Sequence, residues 1–210
     1  MSTDILTLTQ LLSPSFPVGA FAYSHGLEAA IADGQMSDAA SLQAWLHDLL
    51  THGGGRADAV LLNAAYDADD PAEIDATARA FAASAERLME TDLQGAAFCD
   101  TVKAIHGLDL QGLCYPVAVG QSAKLLKLDV TLTTAMYLHA FIANLTAAAM
   151  RALPLGQVEG QKVQTALKSL CQSIAEDTAG TSLDDLHSAA WLSDIAAMRH
   201  ETLYSRTFRT

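Results

Sequence analysis

Basic residues are scarce in this chain of 210 residues, and the shortage narrows the classes of function open to it. Lysine and arginine together number 12, against 24 aspartate and glutamate residues, so the formal net charge is -12. Non-specific nucleic-acid binding needs clustered positive charge to neutralise phosphates, and the sequence therefore argues against that class. The acidity instead favours basic partners.

Cysteine is equally sparse. The three cysteines, Cys99, Cys114 and Cys171, are odd in number and widely spaced, which indicates neither a disulfide framework nor a Cys-x-x-Cys metal or redox site. The opening Met-Ser-Thr-Asp lacks the basic region of a secretory leader. We therefore expect a cytoplasmic protein.

One uncharged run, residues 130–150, is long enough to cross a bilayer. Its threonines, His139 and Asn144 make it only moderately apolar, and each polar side chain would need a partner in lipid. The pattern predicts the buried centre of a helical bundle, with no membrane association.

Strand signals are rare, because β-branched and aromatic residues seldom alternate with polar ones, whereas alanine and leucine recur at helical spacing. We predict one all-α domain over residues 1–210, a bundle of roughly eight to ten helices. A second helix is expected over about residues 23–33, with Gly26 inside it, and late helices over about residues 183–191 and 195–200. The glycine triplet at residues 53–55 predicts a flexible corner.

Enzymatic signatures are missing from the sequence. It contains neither a P-loop nor a Gly-x-Ser-x-Gly elbow, and Tyr204 stands where a zincin motif beginning at His200 would need its second histidine. No two of the seven histidines lie four apart on a helix. We therefore predict no catalytic residue, no metal site and no cofactor, and a protein that is not an enzyme.

Residues 13–28 concentrate conformationally special residues in a helix-prone chain. Pro14 and Pro17 restrict the backbone, and Gly19 allows angles closed to other residues, so an ordered loop is expected. A glycine inside the following helix would cost about 1 kcal/mol unless a packing contact needs a bare backbone. The segment is therefore either a connector between core helices or a functional loop.

The C-terminal residues 198–210 are basic, whereas the chain as a whole is acidic. They contain three arginines, a histidine and two aromatic residues. Arginine mixed with tyrosine or phenylalanine is typical of interface hot spots. The alternative is that this tail folds back onto acids of its own chain, and the sequence does not separate the two.

Four sequence blocks resemble the urease accessory protein F family (UreF). They are Leu-Leu-Ser-Pro-Ser-Phe-Pro-Val-Gly-Ala-Phe-Ala-Tyr-Ser-His-Gly-Leu-Glu at residues 11–28, Tyr-Pro-Val-Ala-Val-Gly at 115–120, Arg-Ala-Leu-Pro-Leu-Gly-Gln at 151–157, and Arg-His-Glu-Thr-Leu-Tyr-Ser-Arg-Thr-Phe-Arg-Thr at 199–210. The blocks occur in the family's order over nearly the full length. Departures are Ala20 for a common glycine, Thr207 for leucine and Thr210 for serine, and residues 90–95 match the family only loosely.

The resemblance implies an all-α, non-enzymatic maturation factor that joins accessory proteins D (also called H) and G, forms a homodimer and helps to load nickel into apo-urease. Nucleotide chemistry would belong to accessory protein G, the GTPase. Residues 199–210 would form a partner-binding tail, with Arg206 and Arg209 bonding partner carboxylates. The expected partner-binding residues are Pro17, Gly19, Tyr23, Ser24, Gly26, Glu28, His200, Glu201, Tyr204, Arg206, Phe208 and Arg209.

Three functions stay open at this point. The first is a chaperone that scaffolds the GTPase, and the second is a regulator that supplies an arginine to the GTPase, as activating proteins do. The third is an independent nickel carrier, for which the missing ligand cluster predicts no nickel bound in equilibrium dialysis.

Overall fold

A computed structural model describes residues 2–210, and this part of the chain is built from ten α-helices and two 3-10 turns, without a strand. The prediction of an all-α bundle of eight to ten helices is confirmed. The helices are α1 (Ser2–Leu11), α2 (Leu27–Ala32), α3 (Ala39–His52), α4 (Gly54–Asp67), α5 (Ala72–Ala80), α6 (Ala85–His106), α7 (Tyr115–Leu125), α8 (Val130–Ala152), α9 (Gln157–Asp177) and α10 (Trp191–His200).

Several helices begin where local chemistry predicts. The Asp38 carboxylate accepts a hydrogen bond of 2.8 Å from the Ser41 amide and so caps α3. Pro116 lies in the first turn of α7, where its missing N–H leaves no hydrogen bond unmade. The glycine corner is a tight junction, since Gly53 alone separates α3 from α4.

The core is organised around α8, which packs against α9, α4, α7, α3 and α2. Leu138, Ile142 and Leu145 of α8 are completely buried, in agreement with the predicted central helix. Among the described helices, none is both long enough and apolar enough to cross a membrane.

Two predicted helices are wrong in their extent. In place of the predicted helix over residues 183–191, a 3-10 turn (Leu183–Asp185) is followed by irregular chain up to residue 190, held by a hydrogen bond of 2.7 Å from the Ala189 amide to the His52 carbonyl, and Trp191 begins α10. The second helix begins at Leu27, not near Tyr23, because His25 and Gly26 adopt left-handed backbone angles, with φ of 56° and 75°. Gly26 therefore caps the helix from outside.

Helix α10 packs against α2 and α6 on one side of the bundle. This arrangement places the C-terminal residues beside the segment that precedes α2. The two regions that the sequence marks as unusual therefore meet in space.

Candidate functional site

Beyond α10, the C-terminal tail continues as residues 201–210. This part of the tail runs beside residues 22–28 and is paired with them through backbone hydrogen bonds. The Arg209 amide donates to the Ala22 carbonyl at 2.8 Å, and the Ser24 amide donates to the Thr210 oxygen at 2.9 Å. The Ser24 hydroxyl donates to the same oxygen. Ser24 and Thr210 are both almost completely buried, so the last residue of the tail is enclosed by the protein.

Glu28, in the first turn of α2, binds the backbone of the tail just before its last two residues. Its carboxylate accepts hydrogen bonds from the Thr207 amide at 2.7 Å and the Phe208 amide at 3.0 Å. His200 Nε2 lies 3.1 Å from Glu28 Oε2, the oxygen that accepts from the Phe208 amide. Burial alone would raise the pKa of Glu28, but the hydrogen bonds from Phe208, Thr207 and His200 lower it overall.

His200 links α10 to both α2 and α6. Its ring is completely buried, and Nδ1 lies 2.6 Å from Glu86 Oε2 while Nε2 faces Glu28. The Arg206 guanidinium donates to the other oxygen of Glu86. Two carboxylates and two basic side chains thus alternate along the base of the tail.

Glu90, one turn further along α6, holds the end of the tail. The Thr210 hydroxyl donates to Glu90 Oε2 at 2.8 Å, and Arg87 forms an ion pair with the same carboxylate. Burial would raise the pKa of Glu90, but Arg87 and His25 bring it down to about 2. Burial and the Arg87 charge lower the pKa of His25, whose Nδ1 lies 2.8 Å from Arg87 Nη1 and 3.2 Å from Glu90 Oε1.

We call this set the terminal clasp. It consists of seven residues from the segment before α2, from α2, α6 and α10, and from the tail: Ser24, Glu28, Glu86, Glu90, His200, Arg206 and Thr210.

Gly26 allows α2 and α10 to approach closely enough for the clasp to form. A Cβ atom built on Gly26 would lie 2.5 Å from the Ala197 amide nitrogen, closer than such atoms occur in proteins. The contact with α10 therefore requires a bare backbone, and this is the reason for the glycine that the sequence left unexplained.

Arg151 secures the tail from the opposite side. Its guanidinium lies over the Phe208 ring, 4.4 Å from the ring centre, and donates a hydrogen bond of 2.6 Å to the Phe21 carbonyl. Phe208 is only 5% exposed. A cation above an aromatic face is stabilising, and here it joins the C-terminal end of α8 to both terminal segments.

The predicted site residues divide by exposure. Tyr23, Ser24, Gly26, His200 and Phe208 are buried, while Gly19 and Glu28 are half-buried. The exposed members are Pro17, Glu201, Tyr204, Arg206 and Arg209.

Most of these residues hold the tail in place. Arg206 pairs with Glu86, Glu201 accepts a hydrogen bond of 2.8 Å from the Ala85 amide, and Arg209 donates its amide to the Ala22 carbonyl. Folding of the tail onto acids of its own chain, one of the two alternatives left open by the sequence, is therefore the arrangement observed. Tyr204 is fully exposed.

The two departures from the family pattern in the tail are accommodated by the clasp. Thr207 contributes its amide to Glu28 while its side chain is exposed, so the smaller side chain costs no buried contact. Thr210 uses its hydroxyl, a group that serine also carries.

Four participants were missed by sequence reasoning: Arg87 beside the clasp, Glu86 and Glu90 within it, and Arg151 above it. Glu86, Arg87 and Glu90 lie at helical spacing on α6, which is also the spacing of an ordinary solvated helix face. Only their proximity to the tail distinguishes them.

A cavity of about 580 Å³ lies behind the clasp, and its lining includes His25, Asp58, Glu90, Tyr137 and Phe141. The Tyr137 hydroxyl donates to Asp58 at 2.7 Å. Burial raises the pKa of Asp58 to about 6, although the Arg87 charge opposes this shift. Within residues 2–210, no group of three or more His, Cys, Asp or Glu side chains is arranged to hold a metal ion.

The fold and the site together define an all-helical protein in which buried charges order two terminal segments at one surface. The model of the UreF family matches residues 36–168. The chain therefore belongs to the UreF family. The matched range contains Glu86 and Glu90 of the terminal clasp. The other clasp residues lie outside it, before residue 36 or after residue 168.

Relatives extend the similarity over the complete sequence. The chain is 56% identical to the urease accessory protein UreF of Roseobacter denitrificans, over 100% of this chain and 96% of that protein. It is 54% identical to the protein of the same name from Ruegeria pomeroyi, over 99% and 97% of the two chains. For Cereibacter sphaeroides strain KD131 the identity is 53%, over 100% of both.

Proposed function

We propose that this chain is a non-enzymatic chaperone of urease maturation that joins accessory proteins D (or H) and G and supports GTP-dependent nickel insertion into apo-urease. The observation that carries the proposal is the identity of 53–56% to proteins named urease accessory protein UreF over nearly their whole length. A homodimer in the cytoplasm, with residues 199–210 as the partner-binding tail of a single domain, is part of the proposal.

The terminal clasp supports a recognition role for the tail. It fixes the backbone of residues 206–210 by hydrogen bonds to Glu28, Ser24 and Ala22, so little conformational freedom remains to be lost when a partner docks. Arg209 is exposed within this ordered segment and Tyr204 is exposed two positions before it, and these residue types are enriched in binding hot spots.

Replacing Tyr204 by alanine is expected to weaken capture of accessory proteins D and G at least about tenfold, the effect of losing one hot-spot aromatic residue. The fold should be unaffected, because the Tyr204 side chain is fully exposed. Phe81→Ala is the matched control, since Phe81 is another exposed aromatic residue, 37% accessible, outside both the tail and residues 13–28. Co-purification and titration with the isolated partners measure the effect, and equal binding by both variants would contradict the proposal.

Arg209→Ala separates the scaffold from the regulator that supplies an arginine to the GTPase. Arg209 is more informative than Arg206, because loss of Arg206 also removes the partner of Glu86. The scaffold predicts weakened assembly and a parallel fall in urease activation. An intact complex that has lost stimulated GTP turnover would support the second function. Lys103→Ala, a distant exposed cation, is the control.

A further inference from the structure

We propose that His200 is a positioning residue that seats the tail as a doubly hydrogen-bonded imidazolium, and that loss of its proton on a rise in pH releases the tail. The inference deepens the proposed function and rests on it, in that the seated tail is the element proposed to recognise partners. The seating itself is a property of this chain alone and can be measured without a partner.

The geometry requires two protons on the ring. Nδ1 lies 2.6 Å from Glu86 Oε2, and Nε2 lies 3.1 Å from Glu28 Oε2. An ionised carboxylate only accepts hydrogen bonds, and a neutral imidazole carries one N–H. Both contacts are therefore hydrogen bonds only when the ring is an imidazolium.

Each carboxylate also accepts hydrogen bonds from other donors. Glu28 accepts from the amides of Thr207 and Phe208, and Glu86 accepts from Arg206. Since imidazole is a stronger base than a carboxylate, the shared proton resides on His200. Protonated His200 and Arg206 together balance the two carboxylates, and loss of the proton leaves one negative charge uncompensated in a buried site.

Release of the proton acts on the tail through Glu28. A neutral His200 carries one N–H, and the shorter contact, 2.6 Å from Nδ1 to Glu86, keeps it. Nε2 then turns a lone pair towards the Glu28 carboxylate that binds the Thr207 and Phe208 amides. Glu28 loses the donor on its buried side and is repelled by the lone pair, which weakens its bonds to both amides.

Within residues 2–210, the other charged groups near His200 already have partners. Arg199 faces Asp33 at 2.6 Å, and Glu201 accepts from the Ala85 amide. On α6, Arg87 pairs with Glu90. The groups facing His200 are thus Glu28 from α2, Glu86 from α6 and, through Glu86, Arg206 from the tail. Since the charged form makes the bonds, the contribution is present at low pH and lost as pH rises.

NMR of the full chain tests the proposal. As pH is raised over the range in which the chain stays folded, the His200 ring is expected to change from two protonated nitrogens to one. The amide proton resonances of Thr207 and Phe208 should move upfield with the same midpoint, because both amides lose a carboxylate acceptor. A ring that keeps a single proton throughout, or tail amides that do not follow the ring, would overturn the proposal.

Three variants control the experiment. Glutamine at position 200 donates without titrating, so His200→Gln should remove the inflection from the Thr207 and Phe208 resonances, whereas an unchanged inflection overturns the proposal. His106→Gln replaces an exposed histidine and should leave the inflection in place. Asp58→Asn should do the same, which separates the tail from the carboxyl group in the cavity. If His200→Gln does not fold, the protonation of the His200 ring nitrogens in the unaltered chain, compared with the Thr207 and Phe208 amide resonances, still tests the proposal.

Partner binding is measured separately over the same pH range. Tail amides that titrate with His200 while capture of accessory proteins D and G stays constant would support the proposed role of His200 and contradict the proposed role of the tail. Capture that falls with pH although the tail amides and the ring do not titrate together would overturn the role of His200.

Discussion

Gly26→Ala is expected to lower the free energy of unfolding by about 3 kcal/mol, combining left-handed backbone strain of about 1–2 kcal/mol with overpacking of about 1–3 kcal/mol. The added Cβ atom would lie 2.5 Å from the Ala197 nitrogen, 2.8 Å from the Ala196 carbonyl carbon and 2.9 Å from the Ala197 Cα atom. All three are backbone atoms of α10, so the helix itself has to move. Because α10 carries His200, the variant should also disturb the terminal clasp.

Gly34→Ala is the matched control for this variant. Gly34 also has a left-handed backbone, with φ of 73°, but no atom lies within 4 Å of the position that its Cβ would occupy. We expect it to cost only the strain, about 1 kcal/mol. Urea unfolding followed by circular dichroism at 222 nm compares the two variants. Equal losses of stability in the two variants would contradict the prediction, because they would show that the close contact with α10 adds nothing to the cost of the Gly26→Ala substitution.

Deletion of residues 204–210 is expected to lower the free energy of unfolding by about 4 kcal/mol or more, and to abolish partner recruitment. Removal of a buried phenylalanine alone costs about 3–5 kcal/mol, and Phe208 is 5% exposed. The deletion also removes both amides that bond Glu28 and the hydroxyl that bonds Glu90. A loss of this size is a substantial part of the roughly 5–15 kcal/mol that stabilises a typical domain.

Two point variants identify the source of that loss. Phe208→Ala should reproduce most of it, about 3 kcal/mol, because it empties the space below Arg151. Thr207→Ala should change stability by less than about 0.5 kcal/mol, since its exposed side chain is replaced and its amide is kept. Thermal and urea unfolding measure both. A truncated chain as stable as the full one would mean that the tail does not pack as described.

The two alternatives that the sequence leaves open for the tail predict different results for this truncation. A tail that only binds partners predicts lost recruitment with a folded core, and a tail that folds back predicts global unfolding. The structure predicts an intermediate result, because the tail covers one side of the bundle while the core around α8 is formed without it. Recruitment therefore has to be measured at a temperature where the truncated chain is still folded.

Prediction of the helices from sequence succeeded where periodicity and caps are local properties. The uncharged run of α8, the Asp38 cap of α3 and Pro116 in the first turn of α7 need only neighbouring residues to be understood. Prediction was wrong around residues 183–191 and 23–26, where contacts with α3 and α10 decide the backbone. Propensity carries no information about such distant contacts.

The candidate site divides in the same way. Residues 13–28 and 198–210 could be singled out because their composition departs from that of the rest of the chain. That they form one site could not be predicted, since Ser24 and Thr210 are separated by 186 positions. The direction in which Arg206 points was equally open, and the structure directs it to Glu86 of its own chain.

By itself, the sequence determined the helical class, the positions of most helices and the two segments with unusual composition, because hydrophobic period, caps and composition are properties of short stretches of chain. Only the tertiary structure decided that these segments close on each other around Glu28, Glu90 and His200. The reason is physical: the Glu28 carboxylate on α2 and the tail amides can form hydrogen bonds only when packing of α10 against α2 and α6 brings them within bonding distance.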